Sequence, residues 1–189
     1  MIFEAVNYLA EEMNEYFRSK LKVNEDKVII SGIINQDGTV AIQGENKIIL
    51  TLVNLEKEIN GFGHSPLSSG GHSVSRGTPA SINLYLMFAA YFSNSNYSEA
   101  LRFLSFVLAY FQSNNVFSTS GSAGLDPRID KLTLEMVSLT TEQLNNIWSI
   151  VGAKYMPSVV YKMRMLVFDD SMIREIRPVV SGIEQQSRT

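Results

Sequence analysis

The sequence of 189 residues predicts an α+β fold, with helices packed on a mixed, mainly antiparallel sheet. Some segments repeat apolar residues at the 3.6-residue spacing of helices, whereas others are short or alternate with the two-residue period of strands. The strand-like segments follow one another in hairpin order, with the helices between and beside them. Strict alternation of strand and helix would instead indicate a parallel sheet.

The first helix is predicted over residues 2–21. Its acidic side chains come early and its basic ones late, an order that suits the helix dipole. Apolar residues recur at helical spacing and mark the face that packs on the sheet. The residues on this predicted face are Ile2, Phe3, Val6, Leu9, Met13, Tyr16 and Phe17.

Three strands are predicted to follow the first helix. Segments 28–34 and 39–43 form a hairpin, because the Asp37-Gly38 pair supplies the positive φ that a tight turn needs. A longer strand covers residues 47–55.

Residues 81–92 are apolar on both alternating faces, which is typical of a strand buried between two layers. We therefore expect this strand at the centre of the sheet. Residues 97–112 form a second helix with only a narrow polar stripe, so its apolar girth is wider than one sheet face can cover. Either loops of the same domain or a neighbouring subunit could cover its outer side.

The segment from Leu139 onward contains a complete helix, its stop signal and a strand. Thr140 and Gln143 have the spacing of a capping box, and Gly152 ends the helix. Alternating apolar residues from 159 to 167 then predict a half-buried strand, and residues 131–139 predict another strand before the helix.

Composition excludes several classes of protein. Sixteen basic residues against nineteen acidic ones give a net charge of −3, which disfavours nucleic acid as a partner. The absence of cysteine excludes disulfides and thiolate chemistry. The longest apolar run, residues 84–92, is far short of the roughly 20 residues that span a bilayer, and the first residues lack the basic leader of a secretory signal. We therefore expect a soluble protein without membrane insertion.

Any enzymatic or ligand-binding function would have to use the Gly/Ser-rich loop of residues 61–78, which contains both histidines. Its Gly71-His72-Ser73-Val74-Ser75 run resembles a hydrolase nucleophile elbow, but the second glycine is replaced by Ser75. His64 and His72 lack the further ligands that zinc requires. A small ligand-binding or hydrolase-like domain that uses this loop is one interpretation of the chain. An adaptor domain that does not form a ring is another. No catalytic residue, metal or cofactor is predicted.

Four segments together resemble the cap, or tail-terminator, proteins of phage-tail-like extracellular contractile injection systems of the antifeeding-prophage and Photorhabdus virulence cassette type. Their sequences are MIFEAVNYLAEEMNEYF at 1–17, NEDKVIISGIINQDGTVAI at 24–42, YSEALRFLSFVLAYFQ at 97–112 and LTTEQLNNIWSIVGAKYMPSVVYKMRMLVF at 139–168. Larger members of this family continue into a further C-terminal region.

The resemblance implies a structural protein without catalysis, and it divides the chain into one cap domain, residues 1–170, with an insertion at 61–79 and a C-terminal tail at 171–189. It implies a sixfold ring of identical subunits that ends the inner tube and touches the last layer of sheath. The tube protein, the sheath protein and further copies of the chain are the expected partners. The implied place of assembly is the bacterial cytoplasm, in a particle that is released or membrane-anchored.

Two segments are predicted to make these contacts. The insertion is expected to touch the ring or the tube through Phe62, His64, Leu67, His72 and Arg76. The tail has too few apolar residues for a core of its own. It either folds back on its own domain or adds a strand to an exposed sheet edge of a neighbouring cap subunit or of the sheath, and of these edges we expect the sheath. The tail residues expected to bind are Ile173, Arg174, Ile176, Arg177, Val179 and Val180.

Overall fold

The computed structural model describes the main chain of residues 1–58, 68–69, 72–76, 80–167 and 173–178, and the side chains of residues 1–58 and 81–167. The helices within these ranges are α1 (Ile2–Leu21), α2 (Tyr97–Ser113) and α3 (Thr141–Val151), and a short 3-10 helix, Asn94–Asn96, precedes α2. The strands are β1 (Val28–Ile30), β2 (Lys47–Lys57), β3 (Ser68–Ser69), β4 (His72–Arg76), β5 (Ala80–Tyr91), β6 (Val116–Ser118), β7 (Ile129–Met136), β8 (Ser158–Val167) and β9 (Ile173–Pro178).

Six strands form the main sheet, in the order β1-β2-β5-β8-β7-β6. The β1–β2 pair is parallel and the other neighbours are antiparallel. This confirms the predicted α+β class with a mixed, mainly antiparallel sheet. Strand β5 is one of the two inner strands, with Leu86 and Phe88 buried on one face and Met87 and Ala89 on the other, as its two-sided apolar pattern predicts.

Helices α1 and α2 cover one face of the sheet, which we call the helical face. Their contact includes the rings of Phe17 and Phe103, whose centroids lie 5.1 Å apart. The Tyr110 hydroxyl donates to a carboxylate oxygen of Glu12 at 2.8 Å, and burial together with this carboxylate raises the pKa of Tyr110. Phe3 was predicted on the buried face of α1 but is 66% exposed. Its neighbour Ile2 in the same turn packs against the core, so the apolar face of the helix is narrower there than predicted.

The opposite face is covered by α3 and the segment of residues 33–42. Trp148 is buried there with Val160 of β8, and its ring lies edge-on to Tyr155 at 5.8 Å between centroids. The capping box of α3 is confirmed: Gln143 N–H donates to Thr140 Oγ1 at 3.2 Å, and Thr140 N–H donates to Gln143 Oε1 at 2.9 Å. Gly152 ends the helix with φ 74°, in the left-handed region that favours glycine.

The predicted hairpin of residues 28–43 is only partly correct. Its turn forms, with Asn35 N–H donating to Thr39 O at 2.8 Å and Gly38 at φ 82°. The flanking segments are joined by a single bridge between Ile34 and Val40 rather than by two strands. Residues 28–30 instead pair in parallel with β2.

The outer side of α2 is exposed. Tyr97, Leu101 and Leu108 are 54%, 45% and 37% accessible, respectively. The first of the two interpretations, in which loops of the same domain cover this side of the helix, is therefore wrong. No helix within the described ranges is both long and apolar enough to cross a membrane.

Candidate assembly surfaces

The structure brings the two predicted contact segments together. Strand β4 belongs to the insertion and strand β9 to the tail, and they pair antiparallel, with Ser73 opposite Arg177 and Val74 opposite Ile176. Of the predicted contact residues, His72 and Arg76 lie in β4, whereas Ile173, Arg174, Ile176 and Arg177 lie in β9. Residues Phe62, His64, Leu67, Val179 and Val180 lie outside the described ranges.

This pairing forms a second sheet with the strand order β3-β4-β9. The sequence predicts a loop over residues 61–78. This prediction is wrong for β3 and β4, which lie within these residues. In sequence, β4 comes shortly before β5, and β9 comes shortly after β8. Three residues, 77–79, separate β4 from β5, and five residues, 168–172, separate β8 from β9.

Ser73, the serine of the run that resembles a nucleophile elbow, does not have the backbone conformation that such an elbow requires. A nucleophile elbow places its serine at a sharp turn between a strand and a helix. Here Ser73 lies within β4, opposite Ser68 of β3 on one side and Arg177 of β9 on the other. Within the described ranges, no group of three or more histidine, aspartate or glutamate residues could hold a metal ion.

A polar cluster lies where the insertion leaves the main sheet. Glu58 precedes the insertion and Ser81 follows it, and the Ser81 hydroxyl donates to the Glu58 carboxylate. Arg164 of β8 donates from Nε to the same carboxylate at 2.6 Å. The Ser81 hydrogen bond, with help from the Arg164 charge, holds the pKa of Glu58 below its ordinary value. The cluster joins both ends of the insertion to a central strand of the sheet.

Both lateral edges of the main sheet are incomplete among the described residues. Strand β1 pairs with residues 48–50 of β2, and no described strand pairs with the outer side of residues 52–57. Leu52 and Leu55 in this open part are 42% and 46% exposed. At the other edge, Val116 of β6 is 47% exposed. Sequence reasoning missed both edges, since an apolar strand pattern does not indicate which strands are outermost.

Comparisons with known proteins agree with one another. A family model described as the Pvc16 N-terminal domain matches residues 4–182. The fold is similar to a PVC sheath/tube terminator of an extracellular contractile injection system in its extended state, with a TM-score of 0.61 and 16% identity over 100% of this chain and 65% of that one. It is also similar to the tube-terminating cap of the anti-feeding prophage, with a TM-score of 0.58 and 16% identity over 93% of this chain and 59% of that one. The chain thus spans less than two thirds of the length of either structure, and no curated protein sequence matches it.

Proposed function

The chain belongs to the Pvc16 N-terminal domain family, and we propose that it is a structural cap of a contractile injection system. In this function it terminates the inner tube and anchors the last layer of sheath. The observation that carries the proposal is the fold likeness to two terminator proteins, which extends over 100% and 93% of the chain.

The physical task of a cap is to end a polymer. The last ring of a tube presents a surface that would accept another ring, so a terminator must match that surface on one side and offer no equivalent surface on the other. A contact between two different patches of identical subunits closes into a ring when the rotation between copies is suitable. We propose a ring of six copies, with the tube protein on one side and the sheath protein around it.

The three-stranded sheet is the proposed contact element for tube and sheath. Because β9 pairs with β4 of its own chain, the insertion and the tail act as one unit rather than as two independent arms. Strand β9 is at the edge of this sheet, and its outer side is unpaired among the described strands. A sheath strand can add there by main-chain hydrogen bonding.

This function is structural rather than enzymatic. The hydrolase-like alternative would need Ser73 at a strand-to-helix turn, and the strand backbone of β4 argues against that reading. The place of assembly proposed for the cap is the bacterial cytoplasm, in a particle that is afterwards released or membrane-anchored.

The test is electron microscopy of particles from a strain that lacks this gene. Particles without the cap should have tubes of uncontrolled length or sheath that is missing at the capped end, and the wild-type gene should restore both. The Ser73→Ala variant is the matched control, because it removes the hydroxyl of the hydrolase reading and should restore particles as well as the wild type does. Normally terminated tubes in the deletion strain would contradict the proposal.

A further inference from the structure

We propose that neighbouring copies join edge to edge, with β6 of one copy pairing in parallel with the open half of β2 in the next. This inference rests on the proposed ring and names the two surfaces that form it. The occupant of the β2 edge is thus a second copy of this chain.

The first support comes from the rows of residues that cross the sheet. One row runs from Leu52 through Leu86 and Tyr161 to Met136. Its two inner residues are buried, while Leu52 and Met136 at its ends are 42% and 52% exposed. All four side chains belong to the helical face, so an apolar row stops abruptly at both edges of the sheet.

The second support is that the two edge strands cover different rows. Strand β1 extends the row of Leu50 and Phe88, toward the C-terminal end of β5. Strand β6 extends the row that contains Glu56, Asn83, Arg164, Thr133 and Val116, toward the N-terminal end of β5. When two copies stand side by side, β1 of one copy and β6 of the next copy can therefore both lie along the β2 strand of the first copy without overlapping.

The third support is strand direction. The pairings of the sheet make β6 run in the same direction as β2, because three strands lie between them and every step is antiparallel. Rotation about a ring axis leaves unchanged the direction of strands that run along that axis. An incoming β6 would thus pair in parallel with β2, in the way that β1 already does.

The fourth support is burial. The helical layer covers β6, where the rings of Tyr8 and Phe117 lie 5.5 Å apart. An incoming copy would bring this layer next to Leu52 and Leu55 and remove their side chains from water. Edge strands with exposed apolar side chains are prone to pair with other chains unless something covers them.

Thiol crosslinking tests the inference directly, because the chain has no cysteine. Glu56 and Val116 lie in the same row at opposite edges, so edge-to-edge packing brings Glu56 of one copy near Val116 of the next. Treating the purified Glu56→Cys/Val116→Cys protein with a short bismaleimide should give a ladder of linked copies on a denaturing gel. The linker also traps transient contacts and tolerates a shift in register of one or two residues.

Mixing experiments identify the geometry of the contact. A mixture of the Glu56→Cys and Val116→Cys single variants should stop at a linked pair that contains one chain of each kind, since each chain has one reactive edge. Leu52→Lys/Leu55→Lys in the double-cysteine background should reduce linking about tenfold, because the two charges would be desolvated at the contact. Ile150→Lys is the matched control, since Ile150 is 80% exposed on α3 and belongs to neither edge strand, and linking should be unchanged.

The inference is overturned if the double variant gives no ladder, if the Glu56→Cys chains link mainly to each other, or if the two lysines have no effect. These outcomes are distinct from failure of the cap function itself. If the copies do not link but the variant rescues the deletion strain normally, the cap role stands and only the edge-to-edge contact is rejected. Normal termination in the deletion strain would reject the cap role whatever the links show.

Discussion

The side chain of Asn14 on α1 is joined to the main chain of Val28 on β1 by two hydrogen bonds. Asn14 Nδ2 donates to Val28 O at 2.9 Å, and Val28 N–H donates to Asn14 Oδ1 at 2.8 Å. Lys27 N–H also donates to this oxygen at 2.9 Å. One buried amide thus satisfies three main-chain groups and holds the short edge strand against the helix.

Replacing this amide should destabilise the fold. Asn14→Leu leaves the main-chain groups of residues 27 and 28 without partners in a buried site, which costs about 2–3 kcal/mol. Urea unfolding followed by far-UV circular dichroism measures the free energy of unfolding. The control is Asn7→Leu, which removes an exposed hydrogen bond to Glu11 and should change this free energy by less than about 0.5 kcal/mol. Equal effects of the two substitutions would contradict the role given to Asn14.

The cap of α3 gives a second prediction. Thr140→Ala removes the hydroxyl that accepts from Gln143 N–H and should lower the free energy of unfolding by about 1 kcal/mol. Thr141→Ala is the matched control, since Thr141 is exposed at the first helical position and should be nearly neutral. The same urea titration compares both variants with the wild type, and a neutral Thr140→Ala would show that the box adds nothing to stability.

The third prediction concerns acid. Hydrogen bonds from the Arg128 side chain, at 2.6 Å and 3.0 Å, and from its main-chain N–H hold the pKa of Asp126 down at about 2, below its ordinary value of 3.8. Because the folded pKa is lower than that of the unfolded chain, the pair stabilises the fold above about pH 4 and loses this effect as the pH falls to about 2. The Asp126→Asn variant should thus unfold at lower temperature than the wild type at pH 5, with the difference disappearing near pH 2.

That difference in melting temperature should also shrink in high salt, because the Arg128 side chain of the pair is exposed and screened. An NMR titration of the Asp126 carboxylate provides the independent check. A midpoint near 3.8 would contradict the assigned hydrogen bonds.

The fourth prediction tests the contact between insertion and tail. Ser73 and Arg177 are opposite each other in the β4–β9 ladder, so Ser73→Cys/Arg177→Cys should form a disulfide within one chain on mild oxidation. The offset pair Ser75→Cys/Arg177→Cys should form it much less readily. Mobility on a non-reducing gel distinguishes a bond within the chain from one between chains.

The same cysteine pair also tests how a sheath strand binds, when particles rescued by this variant are purified and then oxidised. If the strand adds to the outer side of β9, the two cysteines should link within one chain in the assembled particle. If the tail must instead leave β4 to reach its partner, they should stay unlinked in the particle. Truncation after Asp170 should leave a folded main sheet and particles whose sheath is unsecured or missing at the capped end.

Local signals predicted part of this fold well. The α3 helix and strand β8 have their caps, stop and alternating pattern within one continuous segment, so they could be located without knowing what they pack against. The burial of Leu84 and Met87 on opposite faces of β5 could also be predicted, because it depends only on alternation within one strand.

Non-local pairing could not be predicted in the same way. Residues 28–30 have a hairpin signal after them, but parallel pairing with β2 and the hydrogen bonds from Asn14 determine where they lie. Strands β4 and β9 are separated in sequence by four of the six strands of the main sheet, so their pairing leaves no periodic pattern. The candidate edges were missed for the same reason, since the exposure of Leu52 follows from the order of the strands.

The attachment point of the tail has a mechanical consequence. Strand β9 follows β8 in sequence, and β8 pairs with β5 over residues 158–167 and with β7 over residues 161–167. Tension applied to the tail by a contracting partner would run along β8 and load both flanking ladders in shear, so that many hydrogen bonds resist together. A tail attached to a three-residue edge strand such as β1 would peel away bond by bond under the same pull. A load applied to the tail would therefore reach the fold at a strand that is hard to extract.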